Sequence, residues 1–147
     1  MVELRKITCD NFDDCIGLKV SEKQKDFVAP NIYSLAQAWA YHKTAFPFAI
    51  YHDDSLVGFI MLGYYEDKSC YTVWRLMIDE RHQRKGYGKV SLRLGIQYLV
   101  EIHGAREVFL SVMPENIAAE GLYRGAGFER TGRFLDGEAV MRLKIMA

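Results

Sequence analysis

Two rhythms of apolar and polar residues divide the chain into elements. Val2, Leu4 and Ile7 against Glu3, Arg5 and Lys6 predict a first strand over Val2–Thr8. Phe12, Cys15 and Ile16 then fall at helical spacing behind Asp10, a candidate cap, with Asp13 and Asp14 in the first turn where the helix dipole favours acids. This predicts a helix from about Asn11 to Val20. Ser21 to Asn31 is polar and charged around Phe27 and ends at Pro30, which reads as a loop or a short, poorly anchored helical piece and a candidate lid. From Ser34, taken as a cap, Leu35, Ala36, Ala38, Trp39, Ala40 and Tyr41 predict a second helix.

The middle of the chain is strand-like. Phe46–His52 and Leu56–Tyr65 flank the turn Asp53-Asp54-Ser55, and Glu66-Asp67-Lys68-Ser69 leads into a strand from Cys70 to about Asp79, giving an antiparallel meander. Val90, Leu92, Leu94, Ile96, Leu99 and Val100 predict a helix from Gly88 to His103, stopped at Gly104. A strand Glu107–Met113, a short helix Asn116–Arg124, and a hairpin of Phe128–Phe134 and Glu138–Ile145 around Asp136-Gly137 complete the chain. The order is β-α-α-β-β-β-α-β-α-β-β, a mixed α/β (α+β) domain with one central, mostly antiparallel sheet flanked by helices.

Composition narrows the classes. The 147 residues suit one domain, and zero formal net charge with 50% hydrophobic residues excludes both disorder and the global basicity of a nucleic-acid binder. Cys9, Cys15 and Cys70 form no C-x-x-C pair, and an odd count leaves a thiol unpaired, which fits a reducing, cytoplasmic setting. The N-terminus lacks a signal-peptide core, and no apolar run approaches the roughly 18 residues that span a bilayer, so no membrane partner is expected. His42, His52, His82 and His103 have no ligand spacing, so no metal site is expected. The cysteines likewise lack a paired histidine signature, and Cys70 reads as strand packing.

The densest chemistry lies between Trp74 and Lys89, where an apolar strand gives way to Gln83-Arg84-Lys85-Gly86-Tyr87-Gly88 and then to a helix. A helix N-terminus exposes unpaired N–H groups, glycines let a ligand approach the backbone, and cations stand beside them, so the loop suits a phosphate or pyrophosphate. The alternative is a strand-to-helix turn with a solvated basic run. G-x-G-x-x-G is not matched, and no G-K-S/T follows, which weakens the dinucleotide and nucleoside-triphosphate readings. A second constellation is Asn116-x-x-Ala119-x-x-Leu122-Tyr123-x-x-x-Gly127-Phe128. Asn116 and Tyr123 are seven residues apart, near two helical turns, so one helix face can direct both at one cleft. Alternatively, Asn116 caps the helix and Tyr123 is a half-buried aromatic.

Together these stretches resemble the GNAT superfamily of acyl-CoA-dependent N-acetyltransferases. Gln83, Gly86 and Gly88 match its Q/R-x-x-G-x-G/A loop, and the downstream segment matches at every fixed position. Asp53-Asp54-x-Leu56-Val57-Gly58-Phe59, Trp74-Arg75-Leu76-Met77-Ile78-Asp79 and Gln24-x-x-Phe27-Val28-Ala29-x-Asn31 are similar to bacterial spermine/spermidine (diamine) acetyltransferases. The resemblance implies a GNAT-like fold and acetyl-CoA as cosubstrate. Backbone at Met77 and Ile78 would meet the pantetheine arm and thioester. Amides of Arg84, Lys85, Gly86, Tyr87, Gly88 and Lys89, following Gln83, would hold the pyrophosphate. Asn116 would bond the arm, and Tyr123 would face the sulfur as general acid. Arg84 stands where many members carry glycine.

The implied chemistry is direct attack by a primary amine of a small polyamine such as spermidine or spermine. Glu22, Glu66 and Asp67 are candidate acceptor-side carboxylates, although acids in hairpin turns also serve as solvated turn formers. The 21–31 segment is expected to line the acceptor side. Trp39, Tyr41, Tyr64, Tyr65 and Trp74 read as core or sheet face, with a few able to flank a cationic acceptor. Rival acceptors are a protein N-terminus or lysine and an aminoglycoside; a rival class is a non-catalytic acyl-CoA-binding sensor. A nucleic-acid protein using the Arg81–Lys89 basic run is a third, opposed by the zero net charge. The resemblance also suggests a homodimer.

Overall fold

The structure, a computed structural model, describes residues 1–146. Its elements are β1 (Val2–Lys6), α1 (Phe12–Ile16), α2 (Asn31–Ala40), β2 (Ala45–His52), β3 (Ser55–Tyr65), β4 (Cys70–Ile78), α3 (Tyr87–His103), β5 (Glu107–Val112), α4 (Ile117–Gly125), β6 (Glu129–Leu135) and β7 (Glu138–Lys144). The strands form one seven-stranded sheet in the order β1-β2-β3-β4-β5-β7-β6. Neighbours are antiparallel except β4 and β5, whose parallel pairing the α3 crossover makes possible.

That parallel pair barely holds. Only Tyr71–Val108 and Thr72–Phe109 pair, after which the two strands diverge. On its other side β4 stays paired with β3 to Ile78, but the register jumps from Met61–Arg75 to Leu62–Val73 and leaves Trp74 as a bulge. The sheet therefore opens on one side of β4, next to a local kink.

Two cores cover the two faces. Leu92 and Leu99 of α3 and Phe128 pack on Ile60, Leu62, Val73, Leu110 and Met141, with Leu122 and Tyr123 of α4 against them. On the opposite face, Cys15, Leu18 and Ala38 cover Phe59, Met61 and Met77. Close approach decides two glycines. A Cβ on Gly95 would lie 2.9 Å from Ile60 Cδ1, and one on Gly58 would lie 2.4 Å from the Met77 carbonyl oxygen, so α3 on β3 and β3 on β4 both need the missing side chain.

The element order and the antiparallel meander agree with the sequence pattern. The first helix does not: it stops at Ile16 instead of reaching Val20. Leu18 turns into the core, and the Lys19 backbone is taken by the residues just past β4, its N–H donating to Asp79 Oδ2 (3.0 Å) and its carbonyl accepting from Glu80 N–H (2.7 Å). A backbone bonded to another element cannot continue a helix. Asn11, not Asp10, holds the N-cap position, and its side chain is spent on Thr8 N–H and the Lys6 carbonyl. The second helix starts at Asn31 behind Pro30, one turn before the expected Ser34, because Pro30 presents the carbonyl that Tyr33 and Ser34 N–H groups bond. Ser34 is consequently inside the helix and fully buried. A 3-10 turn over Glu80–His82 follows β4 without a signal in the sequence pattern; Asp79 caps it by accepting from Arg81 N–H.

Candidate active site

The opening between β4 and β5 is flanked by Ile78, the start of α3, Asn116 and Tyr123. Asp79 N–H donates to the Val57 carbonyl (2.8 Å), so these two form a hydrogen-bonded pair of the β3–β4 ladder. Antiparallel alternation then directs the Met77 backbone to β3 and turns the N–H and C=O groups of Leu76 and Ile78 the other way, toward the opening. The Ile78 carbonyl accepts from Gln83 Nε2 (2.9 Å). Ile78 N–H thus faces the gap with its register held, while the Met77 side chain is buried on the α1–α2 face beside Asn31.

The loop beyond β4 adopts the shape that a glycine-bearing turn permits. Gly86 caps α3 at φ 83°, and Arg84 stands at φ 65°, a left-handed conformation that costs a side-chain-bearing residue energy. Arg84, Lys85 and Lys89 are exposed around the first turn of α3, whose amides lack intrahelical acceptors. Tyr87 stacks on His52 with centroids 4.9 Å apart, pinning this turn to β2. A Cβ on Gly88 would lie no nearer than 3.7 Å to Leu122 and 3.8 Å to Ile78. The fold itself does not require a glycine there, and the missing side chain leaves the backbone open between β4 and α4.

Across the opening stands α4. Asn116 caps it, Oδ1 accepting from Ala119 N–H (3.3 Å), which leaves the side-chain NH2 as its donor end. The Tyr123 ring meets Phe128 edge-on at 6.1 Å. Burial pushes the Tyr123 phenol up to about 12, so it keeps its proton at neutral pH. Glu120 ties α4 to β6 through Arg130 (2.7 Å) and bonds Arg124 (2.9 Å) within the helix; those guanidinium bonds, against the cost of burial, hold its carboxyl at about 2.

A cavity of about 1110 Å³ occupies the opening and the sheet face beside it. Thr72 to Leu76 of β4 form one edge, Phe109 to Met113 the other; Asn116 and Tyr123 stand at one side and residues 25–30 at another. Met77, Ile78 and the 83–89 loop are not part of this lining. They continue the same edge past the mouth. The structure also leaves Glu22, Glu66 and Asp67 outside it: Glu22 pairs with Lys25 at 2.8 Å, and the other two are exposed in the β3–β4 turn. The carboxylates that do line the cavity are Asp26, Glu107, Asp136 and Glu138. Three of them lie far along the chain from the loop motif. Only the insertion of β7 between β5 and β6 brings Glu138 beside β5, and no local pattern announces that order.

Among the described residues no group of three or more His, Cys, Asp or Glu side chains is arranged to hold a metal ion, and no helix is long and apolar enough to cross a membrane.

Residues 8–128 match the profile of the acetyltransferase (GNAT) family. The chain is 35% identical over 147 residues to the spermine/spermidine N(1)-acetyltransferase of Bacillus subtilis, covering 95% of this chain and 96% of that one. Its fold is similar to that of spermidine N-acetyltransferase from Vibrio cholerae in complex with CoA and spermine, with a TM-score of 0.74 at 20% identity over 98% of this chain and 94% of the other. It is also similar to the PaiA N-acetyltransferase of Thermoplasma acidophilum in complex with coenzyme A, with a TM-score of 0.72 at 18% identity over 99% of each chain. With the profile spanning most of the chain and a relative aligned nearly end to end, this protein belongs to the GNAT family of acetyltransferases.

Proposed function

We propose that the protein transfers the acetyl group of acetyl-CoA, by direct attack, to a primary amine of a small polyamine such as spermidine or spermine. The observation that carries this reading is the convergence on one opening of the Ile78 N–H, the Asn116 cap and the protonated Tyr123, with the exposed N-terminus of α3 just beyond. The polyamine part is supported by the Bacillus relative, aligned over 95% of this chain. The CoA-bound Thermoplasma structure of like fold supports the cosubstrate.

In this reading the first-turn amides of α3, with Arg84, Lys85 and Lys89 nearby, receive the pyrophosphate, and the pantetheine arm runs along β4 as an added strand edge, bonding Leu76, Ile78 and the Asn116 amide. The amine lone pair attacks the thioester carbonyl, whose developing oxyanion a β4 N–H stabilises. The carbon–sulfur bond breaks, Tyr123 O–H protonates the departing thiolate, and the amine's proton leaves through solvent or a wall carboxylate. Near pH 7 only about one alkylamine in a few thousand is unprotonated, so deprotonation is part of what the site must arrange.

The test is an acceptor screen with acetyl-CoA over spermidine, spermine, aminoglycosides and lysine peptides, read by mass spectrometry. Acetylated polyamine is expected, with acceptor KM rising with salt as charge contacts are screened. Acetylation of peptides or aminoglycosides alone would remove the polyamine assignment. CoA binding without turnover of any amine would favour a sensor.

A further inference from the structure

We propose that Glu138, held by Ser111, is the carboxylate that receives the cationic amine of the acceptor. This rests on the amine-acceptor reading above and adds a site to it.

The wall of the cavity cannot hold a polycation by diffuse charge. Lys25, Lys68, Arg75, Arg133 and Arg142 line it against Asp26, Glu107, Asp136 and Glu138, which is not an acidic surface. A cation must find a particular carboxylate. Alternation along β5 and β7 buries Leu110, Val112, Ala139 and Met141 on the α3 side and turns Ser111 and Glu138 to the other face, into the cavity. There Ser111 Oγ donates to Glu138 Oε1 at 2.7 Å. Ser111 lies two residues past Phe109, the last residue of β5 paired with β4, just as Trp74 lies two past Thr72, so the pair stands where the strands have parted.

The other wall acids lack this setting. Asp26 is exposed in the segment before α2, Asp136 is exposed at the hairpin tip at φ 51°, and Glu107 opens β5 at the closed end of the splay. Glu138 is also not neutralised by the protein: among the described residues no Lys or Arg nitrogen lies within 4.0 Å of its carboxylate. Arg75, a cation of the same wall, donates instead to Gln37 Oε1 and to the Trp74 carbonyl, each at 3.0 Å. One Glu138 oxygen is oriented by Ser111, and the other has its lone pairs for a donor. A primary ammonium, with three N–H groups and the Trp74 and Tyr65 rings in the same wall, is the matching ligand class.

Glu138→Gln keeps the shape and the Ser111 bond but removes the charge. Steady-state kinetics with acetyl-CoA and spermidine are expected to show acceptor KM raised about tenfold or more, acetyl-CoA KM within about twofold, a flatter salt dependence of acceptor KM, and an unchanged Tm. Ser111→Ala should raise acceptor KM by a smaller factor. An unchanged acceptor KM in Glu138→Gln overturns the inference, as does a loss of Tm with both KM values rising together, which would mark a structural role. If the wild type acetylates a different amine and not spermidine, the polyamine reading fails while the same comparison with that amine still decides Glu138. A wild type that acetylates no amine overturns both.

Discussion

Gln83 Nε2 donates at once to the Ile78 carbonyl (2.9 Å) and to Gln24 Oε1 (2.8 Å), and Gln24 Oε1 also accepts from Ser21 N–H (3.2 Å). One amide therefore joins the end of β4, the loop before α3 and the segment whose residues 25–30 line the cavity. The glutamine of the loop motif holds protein to protein, and what it presents is the Ile78 backbone in a defined orientation.

Removing that amide should loosen all three parts together. Gln83→Ala is expected to cost about 1 kcal/mol of stability, the net value of such a bond, and to speed amide hydrogen exchange in residues 21–30. Both acetyl-CoA and acceptor KM should rise. Exchange confined to the loop, with residues 21–30 unaffected, would show that the two sides are not linked.

Gly88 separates the needs of the fold from those of the ligand. It lies in the first turn of α3, and an added Cβ meets nothing closer than 3.7 Å. Gly88→Ala should leave Tm unchanged or raise it, since alanine is favoured in helices by up to about 1 kcal/mol. Yet it should weaken CoA binding severalfold in calorimetry, because the methyl group occupies the approach to the backbone. Equal CoA affinity would place the cofactor elsewhere.

Asp79 ties the Lys19 backbone to the end of β4, accepting from Lys19 N–H, Arg81 N–H and Arg81 Nε (3.0, 3.0 and 2.8 Å). Burial raises its carboxyl, but the bonds from Arg81 and Lys19 outweigh this and bring it below the usual carboxylate range. Its charged form is thus favoured by folding. The resulting stability is fully present above the unfolded value near ~3.9 and is lost as pH falls through the lower folded value. Asp79→Ala should be less stable than wild type by about 1–3 kcal/mol at neutral pH, with the gap narrowing in denaturant titrations below about pH 4. A constant gap would mean that packing, not charge, sets the loss.

For Tyr123, burial raises the phenol to about 12, so the acid form persists through the alkaline range in which amines become free. Tyr123→Phe keeps the contact with Phe128 and removes only the hydroxyl. Thiol release is expected to fall roughly 10²-fold in kcat with Tm nearly unchanged. A wild-type rate would remove Tyr123 as the proton donor.

Much of this protein was legible in local pattern. Strand alternation, helical spacing and the turns at Asp53-Asp54 and Asp136-Gly137 carry their own physics over a few residues, which is why the element order and the meander read correctly. Gln83, Gly86, Gly88, Asn116 and Tyr123 stand out as candidates through short-range signals, a glycine-bearing loop before a helix and a seven-residue spacing, together with the family motif they match. What tertiary structure alone decided involves partners distant in sequence. The end of α1 at Ile16 follows from Asp79 and Glu80 capturing Lys19, some 60 positions away. Nor could sequence spacing assign the cavity acids: Glu22, Glu66 and Asp67 sit near it along the chain yet outside its lining, while Glu138 enters because β7 lies between β5 and β6. The opening itself, made where two parallel strands stop pairing after Thr72 and Phe109, is a relation between strands separated by a 17-residue helix, and only the packed sheet expresses it.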